Sequence, residues 1–220
     1  MHSNYKIILG SASPRRKHLL EGTDLPFAVE PVHGVDEDQF PSDLDSCDIP
    51  LFLARAKSLA FRRPLQDDEL LITADTLVFT GQQPAAADAQ GHLALAQEQG
   101  PWSVLGKPDS AKEAVHMLQH LSGRCHKVIT GVYLRSGADS AISEGFEDET
   151  LVWFSKLSEQ EIDYYIKRYK PFDKAGSYGV QEWIGYIGID RIRGSYFNVM
   201  GFPVQKIWNR LKQLNAVSFP

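Results

Sequence analysis

The chain is 220 residues long, room for one large domain or two small lobes. Its net charge of −5 argues against a general nucleic-acid binder, which should carry a basic face. At 43% hydrophobic and 23% charged it reads as globular, with no apolar run near the roughly 18 residues of a membrane span. Met1-His2-Ser3-Asn4-Tyr5 does not read as a signal peptide. Cys47 and Cys125 stand alone, without a C-x-x-C pair, so a reducing cytoplasm is the expected compartment.

Short β-rich runs alternate with segments of helical period, the pattern of an α/β protein. Lys6-Ile7-Ile8-Leu9 predicts a first strand, broken by Gly10-Ser11-Ala12-Ser13. A helix follows, with Ser13 as N-cap and Pro14 at the first helical position. A second helix is expected from Leu51 to Arg62, and Leu70-Leu71-Ile72-Thr73-Ala74 predicts a buried strand ending at Asp75. Gly81 to Pro101, rich in Gln, Ala and Gly, reads as an exposed excursion between paired strands. A third helix starts at Ser110 with a capping box to Glu113 and an inward stripe of Ala111, Ala114, Val115, Leu118 and Leu121; Gly123 ends it. Lys127–Leu134 and Glu149–Phe154 are strand-like. Ser158 and Glu161 box a fourth helix running to Tyr169, with Ile162, Tyr165, Ile166 and Tyr169 on one face. Lys170 to Gln181 reads as a loop, Gly185 to Ile192 as a strand and Pro203 to Leu214 as a closing helix.

Several positions break local rules, and such positions are often functional. Arg15 and Arg16 place cations in the first turn of a helix, against its dipole. An external anion met by free N–H groups, the Ser11 and Ser13 hydroxyls and two guanidiniums would resolve this; two solvated arginines are the plainer alternative. Lys57 interrupts the apolar stripe of the second helix, either aimed at a phosphate or snorkelling at the core edge. Asp75, at the expected carboxyl end of a strand, lies where open α/β sheets bind ligands, though a turn-forming aspartate would look the same. Gly106-Lys107-Pro108 and the run Asp173 to Gln181 add lysines beside glycines that permit close backbone approach. Arg15, Arg16, Lys57, Lys107 and Lys174 together suggest a focused basic pocket in an acidic chain. Val35-Asp36-Glu37-Asp38 offers oxygen ligands for a hard cation, or is a solvated loop. His116 and His120 share a helix but lack a third ligand, so they read as surface residues. No Walker A, dinucleotide, zincin or nucleophile-elbow motif is present.

The ordered series Ser11-Ala12-Ser13-Pro14-Arg15-Arg16, Ala54-Arg55-Ala56-Lys57, Ala74-Asp75-Thr76, Gly106-Lys107-Pro108, Thr130-Gly131-Val132, Asp173-Lys174-Ala175-Gly176-Ser177-Tyr178-Gly179-Val180-Gln181 and Gly194 to Pro203 resembles the Maf family of nucleoside triphosphate pyrophosphatases. The resemblance covers nearly the whole chain, so that residues 1–220 form a single Maf-like domain. It implies an α/β fold with a mixed twisted sheet flanked by helices, two lobes around a cleft as in inosine triphosphate pyrophosphatases, and usually a homodimer. It implies hydrolysis of a nucleoside triphosphate to the monophosphate and pyrophosphate, assisted by Mg²⁺ or Mn²⁺. Asp75 matches the family's catalytic proton acceptor and, with Glu37, its metal surround. Arg15, Thr76 and Gln181 match positions tied to substrate selectivity. Ser11, Ser13, Arg16, Lys57, Lys107 and Lys174 fall in the phosphate-binding surround.

The late loop resembles that of the branch acting on dTTP and UTP, and the Gln181 amide suits a pyrimidine edge because it both donates and accepts. The chain departs from the family pattern at about 82–105, an insertion before Gly106, and at the bulky run Glu182 to Tyr186. The expected partner is therefore a nucleoside triphosphate rather than a nucleic-acid polymer or a membrane. Two alternatives stay open: a nucleotide-binding regulator of septum formation with little turnover, and a pyrophosphatase for a modified purine nucleotide.

Overall fold

A computed structural model describes residues 2–81, 102–137 and 142–218. The expected insertion falls mostly outside them. The β-strands are β1 His2–Ser3, β2 Lys6–Leu9, β3 Phe27–Val29, β4 Glu69–Thr80, β5 Ser103–Leu105, β6 Cys125–Ser136, β7 Ser143–Phe154, β8 Ile189–Arg193 and β9 Val217–Ser218. The α-helices are α1 Pro14–Glu21, α2 Ile49–Leu59, α3 Ala111–Leu121, α4 Glu159–Tyr169, α5 Trp183–Gly188, α6 Tyr196–Val199 and α7 Val204–Gln213.

The expected α/β class is what forms. A mixed sheet runs in the order β3-β2-β4-β6-β7-β8, with β5 added to β4. β2 is parallel to β3 and β4, whereas β5 on β4 and β8 on β7 are antiparallel. The Thr80↔Ser103 pair shows that the segment from Gly81 to Pro101 does join paired strands.

The chain forms two compact units. The first comprises Met1–Thr76, Thr130–Asp148 and Met200–Pro220; the second comprises Leu77–Ile129 and Glu149–Val199. In the first, the fully apolar strand Ile7-Ile8-Leu9 is buried beside Leu70-Leu71-Ile72, and Leu53, Phe202 and Leu211 complete a dry core. In the second, Phe79, Leu118, Leu121, Val152, Trp153, Phe154 and Tyr165 are buried. Each such side chain is worth roughly 1.5–3 kcal/mol of transfer free energy, which suffices for a core without disulfides; neither Cys47 nor Cys125 is in a disulfide.

Helix starts follow their caps. Ser158 and Glu161 form the reciprocal box at α4. At α3, Ser110 accepts from the Glu113 N–H, but the Glu113 carboxylate reaches back one residue further, to the Asp109 N–H. The inward face of α3 is Ala114, Met117, Leu118 and Leu121, with Ala111 exposed and Val115 half-buried. Gly123 ends that helix with φ of 68°. The expected strand from Gly185 is corrected: Trp183–Gly188 is helical and only Ile189–Arg193 extends. Gly185 permits this because its α-carbon lies against the Val180 carbonyl, where an added Cβ would come within 1.9 Å.

Candidate active site

In the first unit, β2 stops at Leu9 because the chain must pass closely over β4. An added Cβ on Gly10 would lie 2.8 Å from Thr73 Cγ2. Ser11 then turns the chain, its buried Oγ accepting the Ser13 N–H at 3.2 Å. Ser13 occupies the N-cap of α1, but its hydroxyl caps nothing, and no acidic residue sits in the first turn.

The two arginines take different positions. Arg16 turns inward, Nε donating to Gly201 O at 2.8 Å and Nη1 to Ala74 O at 2.8 Å and Ser11 Oγ at 3.4 Å. Its Nη2 donates to Thr76 Oγ1 at 3.1 Å. Burial pulls the Arg16 pKa down and Asp75 opposes that shift, with a smaller lowering from Arg15. Arg15 is half-buried on the same turn. Thr76 also meets Thr130 Oγ1 at 2.9 Å. Gly201, with φ of 99°, is held in a backbone conformation that side chains disfavour.

Asp75 does not end its strand, contrary to expectation. β4 runs on to Thr80, since Thr76-Leu77-Val78-Phe79-Thr80 is strongly β-prone. Asp75 instead lies in the part of β4 between its last pair with β2, Leu9↔Ile72, and its first with β5, Val78↔Leu105. Asp75 is only 6% exposed. Thr73 Oγ1 donates to Ala54 O at 2.7 Å and ties α2 to β4, which brings Lys57, one turn after Ala54, to Asp75. Lys57 Nζ lies 2.5 Å from Asp75 Oδ1 and 2.7 Å from Glu37 Oε1. With 14% of its side chain exposed, Lys57 does not snorkel. Its ammonium holds two carboxylates in place.

The structure thus gathers Ser11, Ser13, Arg15, Arg16, Glu37, Lys57, Asp75 and Thr76 within one unit. Two of these are carboxylates, Asp75 and Glu37, and both meet the Lys57 ammonium. Such a pair fits Mg²⁺ or Mn²⁺, which Mg²⁺-type sites hold through one or two carboxylates plus substrate phosphates and water. Among the described residues no group of three or more His, Cys, Asp or Glu is placed to hold a metal ion.

Lys107, Lys174 and Gln181 belong to the second unit. Lys107 is exposed in the loop after β5, and Gly176 donates its N–H to Gly106 O at 3.0 Å, joining two motif loops. Lys174 is buried with Asp173 at 2.7 Å and Glu182 at 3.1 Å. Gln181 keeps its Oε1 buried without a hydrogen-bond partner. His116 and His120 are exposed on α3. Sequence reasoning named Gly201 and Glu182 only within longer runs and gave them no role, and it did not single out His126. His126 is fully buried, its Nε2 sharing a hydrogen bond of 2.7 Å with the Tyr178 hydroxyl. Glu182 had one signal, its position directly after Gln181.

The model of the family described as "Maf-like protein" matches residues 6–214. This chain belongs to the Maf family. Among its relatives, a protein of Parabacteroides distasonis named dTTP/UTP pyrophosphatase is 46% identical, covering 94% of this chain and 95% of its own. One of Porphyromonas gingivalis with the same name is also 46% identical, over 94% of each chain. A solved dITP/XTP pyrophosphatase from Mycobacterium abscessus is 18% identical and covers 96% of both chains at a TM-score of 0.35, too distant to bear on the site. The Maf match spans both units and every motif quoted above. No helix among the described residues is long and apolar enough to cross a membrane.

Proposed function

We propose that this Maf-family chain hydrolyses dTTP and UTP to the monophosphate and pyrophosphate. The names of relatives at 46% identity support the substrates. The observation that carries the chemistry is the buried Asp75 carboxylate, held by Lys57 beside Glu37.

Water attacks the α-phosphorus, the bond from that phosphorus to the α–β bridging oxygen breaks, and pyrophosphate leaves with the bonding pair. Asp75 accepts the water's proton, and its fixed geometry is what a general base requires. Lys57 orients that carboxylate and offers positive charge to phosphate oxygens as charge builds on them. Arg16 spends most of its donors on Gly201, Ala74, Ser11 and Thr76, so it fixes the chain around Asp75 as well as adding charge. Arg15, Ser11, Ser13 and the open first turn of α1 take phosphate. Asp75 and Glu37 would hold Mg²⁺ or Mn²⁺, which when bound neutralises phosphate charge and polarises the reacting oxygens.

Lys107 and Lys174 keep their assignment to phosphate, although a phosphate contact by Lys174 must compete with the two carboxylates on its ammonium. Thr76, Arg15 and Gln181 set selectivity. The chain works as a single domain in the cytoplasm, as a homodimer, without nucleic-acid or membrane partners.

Incubation of the purified protein with Mg²⁺ and a panel of common and modified triphosphates tests this reading. Catalytic release of pyrophosphate from dTTP and UTP, at rates above those for purine nucleotides, is expected. Binding without turnover would overturn it in favour of a regulator.

A further inference from the structure

Glu182 stands at the centre of a closed set of polar contacts in the second unit. Its Oε2 accepts a very short hydrogen bond from the Tyr165 hydroxyl, and that hydroxyl in turn accepts the Gly179 N–H at 3.0 Å. Its Oε1 lies 3.1 Å from Lys174 Nζ. The Glu182 N–H donates to Gly179 O at 3.0 Å, and its carbonyl accepts the Gly185 N–H at 2.8 Å as α5 begins. The Glu182 side chain is 18% exposed, that of Lys174 10%. Tyr165 is fully buried on α4 and stacks on Tyr169 at 5.1 Å, so this hydroxyl is fixed to the core of its unit. Burial, reinforced by Glu182, raises the Tyr165 pKa, so it remains a donor.

The Gln181 amide lies beside the same contacts. A Cβ added to Gly179 would lie 2.8 Å from Glu182 Cδ and 3.1 Å from Gln181 Nε2, so carboxylate and amide share the space that a side chain would need. Gln181 Oε1 is left buried with no partner, an acceptor whose desolvation is uncompensated. Uracil and thymine carry a donor at N3, whereas cytosine presents a lone pair there. A Gln181 amide held in one orientation would therefore accept the first two and repel the third.

We propose that Glu182, anchored by Tyr165, is a positioning residue that fixes the Gln181 amide and so sets the preference for uracil and thymine over cytosine. This rests on the reading of Gln181 as the residue that meets the base. Glu182 acts on the base through Gln181 and the backbone at Gly179; its pairing with Lys174 bears on every triphosphate alike, so the dTTP-to-dCTP ratio isolates the effect on the base.

Pyrophosphate release from dTTP and dCTP is measured for the wild type, Glu182→Ala, Tyr165→Phe and the double variant, with thermal unfolding of each. Both single variants should raise KM for dTTP by about tenfold or more and narrow the dTTP-to-dCTP ratio of kcat/KM by a similar factor, with the loss falling on KM rather than kcat. Because both act through one network, the double variant should be no worse than the more impaired of the two single variants. Wild-type selectivity in folded Glu182→Ala and Tyr165→Phe, or effects that multiply, would overturn the proposal. Should Glu182→Ala fail to fold, Tyr165→Phe decides by the same ratio, since it keeps the ring and loses only the hydroxyl. Failure of the wild type to turn over dTTP would instead overturn the proposed function.

Discussion

Lys57 and Asp75 lie 18 residues apart and meet with Nζ 2.5 Å from Oδ1, so a carboxylate taken from water is matched by a cation from a different element. Glu37, on the same ammonium, makes this a shared charge rather than an isolated pair. Replacing Asp75 by Asn keeps volume and an acceptor for Lys57 but removes the proton-accepting group. The Asp75→Asn protein should fold and still bind dTTP, yet lose at least about a hundredfold in kcat. Single-turnover kinetics with equilibrium binding checks this, and a near-normal kcat would remove Asp75 from the role.

Arg16→Lys tests the fork that ties α1 to the chain around Asp75. Lysine can restore one bond but not those to Gly201 O, Ala74 O and Thr76 Oγ1 together. Stability should fall by about 1–3 kcal/mol in urea unfolding. A loss below about 0.5 kcal/mol, the range of ordinary surface changes, would show that the fork is not structural.

Gly131→Ala should be among the most damaging single changes. An added Cβ would lie 2.3 Å from Leu51 N and 2.4 Å from Pro50 C. Both obstacles are backbone at the start of α2 and cannot rotate aside. A loss of at least about 3 kcal/mol, or failure to yield soluble protein, is expected. An unchanged melting temperature would contradict that packing.

Burial pushes the His126 imidazole down to about 3. The unfolded chain binds this proton near its ordinary value of 6.5, so between the two the unfolded state carries more protons. Stability from this group is complete above the unfolded pKa and is lost as pH falls below it, by up to about 1.4 kcal/mol per pH unit. From about pH 6.5 to 5 ordinary carboxylates stay ionised, so His126 should dominate the slope there. His126→Gln, which can keep a hydrogen bond to the Tyr178 hydroxyl, should flatten the curve of unfolding free energy in that window. An equal slope in both proteins would rule His126 out as its source.

Elements with their own caps and period were legible in the residues: Ser158 and Glu161 at α4, Ile7-Ile8-Leu9 in β2, the Ile207 and Leu211 face of α7. Where a remote partner overrides local pattern, they were not. Asp75 looked like the end of a strand because a charge interrupts an apolar run, but Lys57 of another element meets that charge and the β-prone run after it carries β4 on to Thr80. Gly185 and Gly188 amid Ile and Tyr looked like a strand, whereas close packing on Val180 selects the helix. The residue types of the candidate site were readable as motifs. Which donor meets which acceptor was not, because those contacts join positions far apart in the chain.

The bond from Arg16 Nε to Gly201 O spans 185 residues. At roughly 5–20 residues per second, a ribosome needs on the order of 10–40 s to travel between them. Through that interval the Arg16 fork can reach Ser11, Ala74 and Thr76 but lacks its fourth acceptor. The first unit therefore closes only when its last segment, Met200–Pro220, has been made, although Arg15, Lys57 and Asp75 are present long before.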